Sequence, residues 1–276
     1  MTATSSASQQ VGQVADQISG YLVRYDSTHD PRAVFAYVYW RLTSSLSLSL
    51  AADDPQFRDA GWVAELAECL AAEYFVAMDQ IDEWVSAGPG FRSPVREEDL
   101  PREIPEPWRA VCVAAAGRRS YVLEDALFGM MAHISFDLPM ALWKMASRMT
   151  VPIHIADFHT MNSVFGAVIE SIQSEVASRY SWVLAGLDHI FARNDELLTN
   201  YGIRVARGMA WYNFERMCDP DSATEAKGSI ARSTGAFIRQ IREPEDWRLR
   251  TASALARRLV PERRQWPSPT ELPRPD

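Results

Sequence analysis

The sequence predicts an all-α protein, a single-domain multi-helix bundle. Apolar residues recur at helical spacing almost everywhere, whereas the alternating pattern of strands occurs only in short pieces such as "SLSLSL" at 45–50. Hydrophobic residues make up 47% of the 276 residues, which is enough for a substantial core. No internal repeat or linker divides the chain. We therefore expect one helical domain at 11–260, between a disordered N-terminus at 1–10 and a proline-rich disordered tail at 261–276.

The first two predicted helices have clear sequence signals. Asp30 followed by Pro31 is typical of a helix start, because aspartate caps free N–H groups and proline is tolerated in the first turn. The residues that follow, up to about position 50, carry an apolar stripe at Val34, Val38 and Leu42. A second helix is expected over 59–85, where apolar residues again recur every three or four positions.

A long segment rich in proline and glycine follows, at 86–108. Loops of this length are uncommon in compact domains and often form lids or binding segments, so we expect a surface loop here. Beyond it, helical spacing predicts further helices at about 107–117, 119–136, 139–149, 156–196 with a break, 202–218, 224–241 and 245–259.

Composition excludes several classes of partner. A net charge of −8 argues against a nucleic-acid binder, which needs a basic face, and against docking on anionic lipid. We found neither a signal peptide nor a run of roughly 20 uncharged apolar residues. Three widely spaced cysteines indicate a reducing compartment. We therefore expect a cytoplasmic protein that binds a small-molecule substrate but neither nucleic acid nor membrane, and whose state as monomer or homodimer is open.

Two pairs of polar residues interrupt the apolar helices in the middle of the chain. His133 and Asp137 lie four residues apart in "MMAHISFDLPMALWKMA", and His154 and Asp157 lie three apart in "PIHIADFHTMN". Each spacing places both side chains of a pair on one helical face. A turn near 149–152 would allow the two helical stretches to form an antiparallel hairpin that brings the pairs together.

The four residues have two functional interpretations and one structural one. As an acid and base without metal, His133 would titrate near neutral pH while Asp137 orients its ring. As metal ligands, the two imidazoles and two carboxylates would suit iron, manganese or zinc. Alternatively, Asp137 caps a helix that restarts before Pro139, and Asp157 pairs locally. Several polar groups in apolar surroundings favour a shared site, because each one buried without a partner would cost about 1–3 kcal/mol.

Several sequence blocks resemble, in order, those of a bacterial all-helical family that is catalogued only as a domain of unknown function. The blocks cover roughly residues 20 to 220 and are "DPRAVFAYVYWRLT", "FRDAGWVAELAECLAAEYFVAM", "PEPWRAV", "FGMMAHISFDLPMAL" and "HIADFHTMN". The resemblance marks His133, Asp137, Pro139, His154, Asp157 and Asn162 as residues of the family pattern. Where the family usually has asparagine before Ala-His, this chain has Met131; if that asparagine contacts ligand, the pocket here is more apolar. The resemblance implies no reaction.

We expect four further residues to bind substrate. Met131 and Asn162 follow from the family pattern, and Trp211 and Tyr212 lie in "RGMAWYNFERM" at 207–217. Aromatic and methionine stripes of this kind are usually core, yet they also wall apolar pockets.

Our leading hypothesis is an enzyme of specialised metabolism acting on a largely apolar small molecule. With His133, Asp137, His154 and Asp157 as catalytic residues, acid–base chemistry would suit cyclisation, elimination or isomerisation, which need shape, exclusion of water and one well-placed proton carrier. The alternatives are a metal-dependent oxygenase or hydrolase with the same four residues as ligands, and a non-catalytic small-molecule binding protein. The sequence names no cofactor.

Overall fold

The computed structural model confirms the all-α prediction. It describes residues 3–52, 56–88, 95–116, 122–146, 151–180, 200–251 and 254, and within those ranges there is no strand. The α-helices are α1 (Ala3–Thr28), α2 (Arg32–Ala51), α3 (Ala60–Ala87), α4 (Glu106–Ala115), α5 (Val122–Ala132), α6 (Leu138–Met145), α7 (Val151–Tyr180), α8 (Asn200–Met217) and α9 (Ala223–Arg242).

Helix α1 includes residues 3–10, for which the sequence predicted disorder. That prediction was wrong because the segment continues the buried stripe of the helix, formed by Ala7, Val11, Ile18, Leu22 and Tyr25. The N-terminal turns are also fastened to α2: the hydroxyl of Ser8 donates to the carbonyl of Ser47, and the hydroxyl of Ser47 donates to the carbonyl of Ser8, both at 2.9 Å. Because most residues around these positions are small or polar, the stripe is not apparent from the sequence.

Helix α2 lies at the centre of the bundle. Every residue from Ala33 to Trp40 is buried, as expected for a helix with neighbours on all sides. The chain reverses sharply into α2 at His29, whose backbone is left-handed (φ 57°). Asp30 then accepts the backbone N–H of Arg32 at 2.9 Å, so it satisfies the first turn as the sequence predicted. The helix extends through "SLSLSL" and packs on α1, α5 and α7.

The chain from Val122 to Met145 is one helical rod rather than two helices with a break. Its middle, His133–Asp137, is a π-helical turn in which the N–H of Leu138 donates to the carbonyl of His133. Pro139 cannot donate to the carbonyl of Ser135, so the regular α-helical pattern is interrupted here and the wider turn replaces it. Asp137 caps nothing: its backbone is helical and its side chain accepts no capping N–H.

Within that rod, Glu124–Met145 is long and apolar enough to cross a membrane. However, 72% of its most apolar window is buried inside the protein, and the core helix of a soluble protein meets the same criteria. It is weak evidence for a membrane span.

The remaining helices follow the sequence prediction in part. Helix α7 begins at Val151, five residues before the predicted start, and packs mainly on α2 and α8. The last part of the segment predicted at 156–196, residues 181–196, lies outside the described residues, as does the tail at 261–276. In the predicted loop, 89–94 also lie outside them; Glu97–Asp99 form a 3₁₀ turn, and α4 begins at Glu106.

Candidate functional site

His133 and Asp137 form a buried hydrogen-bonded pair on the π turn. The imidazole Nδ1 lies 3.0 Å from Asp137 Oδ2, and the two residues are 4% and 1% exposed. The predicted contact across one helical turn is therefore present. With Asp137 ionised and the imidazole neutral, Nδ1 carries the proton and donates it to the carboxylate, and Nε2 has the lone pair.

The Asp137 carboxylate is held from its other side by Trp108. The indole N–H of Trp108, on α4, lies 3.0 and 3.1 Å from the two carboxylate oxygens. Burial raises the pKa of Asp137 because it disfavours the charged form, while the hydrogen bonds from His133 and Trp108 oppose that rise. The carboxylate is thus fixed between two nitrogen donors in apolar surroundings.

Aromatic rings enclose the imidazole of His133. The ring centroid of Tyr39 lies 4.2 Å from it, and those of Phe35 and Tyr74 lie 5.6 and 5.9 Å away in edge-on arrangements. Burial raises the pKa of the Tyr39 hydroxyl well above its ordinary value, with the nearby Asp137 carboxylate adding to the rise. Tyr39 therefore stays protonated over the whole physiological range.

His133 also forms part of the wall of a cavity. The cavity measures about 590 Å³ when all the space between its wall atoms and the space open to solvent at its mouth are counted. Most of its wall is apolar, from Leu42, Leu46, Leu66, Ala67, Leu70, Ile134, Leu138, Met161, Phe165 and Ile203, and the rest is Tyr39, Thr43, His133 and Arg207. His133 Nε2 is buried and has no hydrogen-bond partner in the part of the chain that the structure describes. An imidazole nitrogen without a partner at an apolar cavity is an unmet hydrogen-bonding need that a ligand can fill.

Arg207, on α8, supplies a buried cation to the same cavity. It is 3% exposed, and no carboxylate in the described part of the chain pairs with it. Its Nε donates to Asn162 Oδ1, and its guanidinium lies over the ring of Phe158, 4.2 Å from the centroid. Burial lowers the pKa of Arg207 to about 9, so the side chain remains charged at neutral pH. Asn162, predicted to bind substrate, thus orients the arginine.

The second predicted pair makes different contacts. The Asp157 carboxylate accepts the backbone N–H groups of Arg58 and Asp59, each at 2.8 Å, immediately before α3. His154 stacks parallel on Trp62, with centroids 4.6 Å apart, and its Nε2 lies 3.4 Å from Asp59 Oδ2. These contacts fasten the start of α3 to α7, which is a structural role.

The predicted convergence of the two pairs is therefore not found. Helix α7 packs on α2 and α8 instead of lying antiparallel on α6, so the expected hairpin is wrong. No group of three or more His, Cys, Asp or Glu side chains in the described ranges is arranged to hold a metal ion, so His133, Asp137, His154 and Asp157 do not form a four-ligand centre.

Three further residues predicted to bind substrate lie away from the cavity wall. Met131 is buried in the core cluster around α2. Trp211 is buried against Phe158 and Phe214, while Tyr212 is 55% exposed on the outer face of α8. In the 207–217 stretch, it is the arginine at its start that reaches the cavity.

Comparison with known proteins identifies the family. The model of a family described as "Family of unknown function (DUF5995)" matches residues 11–89 and 91–244. The chain belongs to this family. Membership in DUF5995 confirms the resemblance to a family without known function. No curated protein and no solved structure matches the chain.

Two site residues of this DUF5995 chain, Arg207 and Trp108, were not predicted from the sequence. Only Arg207 stands out in the sequence pattern. Arg207 falls on the buried stripe of α8 with Ile203, Ala210 and Trp211, and an arginine on an apolar stripe is unusual enough to single out. Trp108 looks like any core tryptophan in sequence, because its partner Asp137 is 29 residues away.

Proposed function

We propose that the protein is an enzyme that transfers protons on a largely apolar small molecule, with His133 as acid and base. Asp137 positions the imidazole and stabilises its charged form, and Trp108 positions Asp137. The cavity beside His133 receives the substrate.

One observation carries this proposal: His133 Nε2 is buried, has no hydrogen-bond partner among the described residues, and belongs to a residue of the cavity wall. A histidine kept only for packing would be expected to satisfy both ring nitrogens. Here one nitrogen is fixed by a carboxylate and the other is left for a ligand, which is the arrangement that a general base needs.

The apolar wall limits the chemistry to reactions that need few polar groups. In an isomerisation, His133 would take a proton from one carbon and return it to another as the double bond shifts. In an elimination, it would take the proton while the leaving group departs with its bonding pair, and in a cyclisation the same proton transfers would accompany ring closure. Exclusion of water by the apolar wall favours all three, and specialised metabolism is the setting in which we expect such a substrate.

A non-catalytic small-molecule binding protein is the second candidate, because the cavity and the buried Arg207 would serve binding alone equally well. A metal-dependent oxygenase or hydrolase has less support, since its four expected ligands lie in two separate sets of contacts. We further propose that the protein acts in the cytoplasm, which the odd number and wide spacing of its three cysteines, Cys69, Cys112 and Cys218, support.

Turnover of metabolites tests the proposal. Purified protein is incubated with a small-molecule extract of the organism that carries the gene, and consumed and formed compounds are followed by mass spectrometry. We expect a substrate–product pair that disappears with His133→Ala and is reduced with Asp137→Asn. His159→Ala is the matched control, because His159 is exposed on α7 and should leave turnover unchanged. A pair that persists at full rate with His133→Ala would show that His133 is not the acid or base.

A further inference from the structure

We infer that the ligand of this cavity carries a carboxylate, which Arg207 binds while the apolar body of the ligand lies against the rest of the wall. The inference rests on the proposed function for the identity of the site, and it adds the chemical class of the substrate. Four facts support it: the burial of Arg207, the lack of a counter-charge for it among the described residues, its remaining hydrogen-bond donors and the apolar wall.

The burial of Arg207 requires an explanation. A cation taken out of water is costly unless an opposite charge or a set of hydrogen bonds compensates it. Arg32, the other buried arginine in the described chain, has such a partner in Asp30, and the half-buried Arg179 pairs with Asp26. Arg207 has an amide oxygen, a thioether sulfur and aromatic faces instead. A ligand that brings a negative charge would complete its surroundings.

The donors that remain on Arg207 suit a carboxylate. Nε donates to Asn162, and Nη2 points one N–H toward the sulfur of Met161 at 3.8 Å, a weak acceptor. The N–H groups of Nη1 and the second N–H of Nη2 have no partner among the described residues. These two nitrogens form the edge of the guanidinium that binds both oxygens of a carboxylate in parallel.

The wall argues for a single negative charge rather than a phosphate. One carboxylate neutralises one guanidinium, whereas a phosphate dianion would leave an excess charge with three oxygens to satisfy. The remaining polar wall residues are Tyr39, Thr43 and His133, which supply few donors for it. His133 is needed for the reacting part of the molecule, so a monocarboxylate with an apolar chain or ring fits best.

Calorimetric titration with matched ligands tests the inference. The probes are straight-chain monocarboxylates from hexanoate to dodecanoate, each paired with its primary amide, which has the same shape and no charge. We expect at least one acid to bind the wild-type protein about tenfold or more tightly than its amide. Arg207→Met should abolish that preference, and Arg207→Lys should retain part of it. Arg204→Met, an exposed arginine on the same helix, should keep it in full.

The outcomes separate this inference from the proposed function. Binding of no acid, equal binding of acid and amide, or a preference that survives Arg207→Met would overturn the carboxylate assignment. Circular dichroism of each variant shows whether it is folded. If Arg207→Met is not folded, Arg207→Lys still decides the test. His133→Ala should retain the preference for the acid. If it does so while turnover also persists, the proposed function fails and the carboxylate site stands.

Discussion

Replacing Arg207 with methionine should leave the unliganded protein as stable as the wild type or more stable. Methionine has a similar length and fits an apolar wall, but it carries no charge that must be taken out of water. A binding residue is expected to be poorly compensated until its ligand arrives. A structural arginine is expected to behave in the opposite way.

The magnitude follows from the surroundings of Arg207. A pKa lowered from 12.5 to about 9 corresponds to a cost of roughly 5 kcal/mol for holding the charged form in the folded state. The substitution also removes the contact with Phe158, worth about 2 kcal/mol for a desolvated cation, and leaves the Asn162 oxygen without its donor, which costs about 1–3 kcal/mol. The expected net change is a gain of roughly 0–2 kcal/mol in the free energy of unfolding.

The pH dependence has a definite sign. Because the folded-state pKa of Arg207 is below its unfolded value, the cost is fully present below about pH 9 and diminishes only above it. The difference in stability between Arg207→Met and wild type should therefore be constant from about pH 6 to about pH 8.

Urea unfolding followed by far-UV circular dichroism measures this difference, with Arg204→Met as the control for a surface arginine on the same helix. We expect equal slopes and a midpoint for Arg207→Met at or above that of the wild type. A loss of about 3–5 kcal/mol, with the control unchanged, would mean that Arg207 is a compensated structural residue and would refute the reasoning.

Four other predictions concern the parts that support the site. Trp108→Phe should lower stability by about 1.5–3 kcal/mol, since a donor to a buried carboxylate is lost, and a change below about 0.5 kcal/mol in urea unfolding would contradict the bond. Burial raises the pKa of Asp137, so its carboxyl group stabilises the folded state at low pH and this stabilisation is lost as the pH rises through the raised pKa. The free energy of unfolding of Asp137→Asn, relative to that of the wild type, should therefore increase with pH. A difference that stays constant with pH in urea unfolding would contradict this. Asp157→Ala should cost about 2–5 kcal/mol in thermal or urea unfolding but leave carboxylate binding intact, because it frees two backbone N–H groups of residues that are not part of the cavity wall; lost binding in a stable variant would disprove a structural role. Gly129→Ala should destabilise by about 1–3 kcal/mol, because its Cβ would overlap the ring of Phe35, whereas Gly208→Ala, with open space around it, should stabilise by up to about 1 kcal/mol; equal effects of the two in urea unfolding would contradict the packing.

The parts of the site that could be predicted from sequence are local. His133 and Asp137 lie four residues apart on one helical rod, so helical geometry alone places their side chains in contact. The same reasoning placed His154 and Asp157 together on α7 but could not show what they face. The partners of Asp157 are backbone N–H groups nearly a hundred residues earlier in the chain, and only tertiary packing brings them there.

The fold shows the same division. Long helices with strong apolar spacing, such as α2 and α3, were predicted close to their observed positions. Helix α1 was not predicted, and its first residues were expected to be disordered. Ala7 and Val11 form only a weak apolar stripe among serines and glutamines, and burial against other helices decides their state. The break predicted at Pro139 was wrong. Proline has no N–H to donate, but a π-helical turn at His133–Asp137 accommodates this, and the helical rod continues.

Transfer of solvent deuterium tests the central claim, proton transfer by His133, most directly. The substrate–product pair found in the extract is incubated with the protein in D₂O, and the deuterium content of substrate and product is measured by mass spectrometry. We expect wild type and His159→Ala to introduce deuterium at carbon at the same rate, and His133→Ala to introduce none above the uncatalysed level. Deuterium incorporation by His133→Ala at the wild-type rate, or wild-type turnover in which no hydrogen on carbon is lost, moved to another carbon or replaced by deuterium, would contradict the claim.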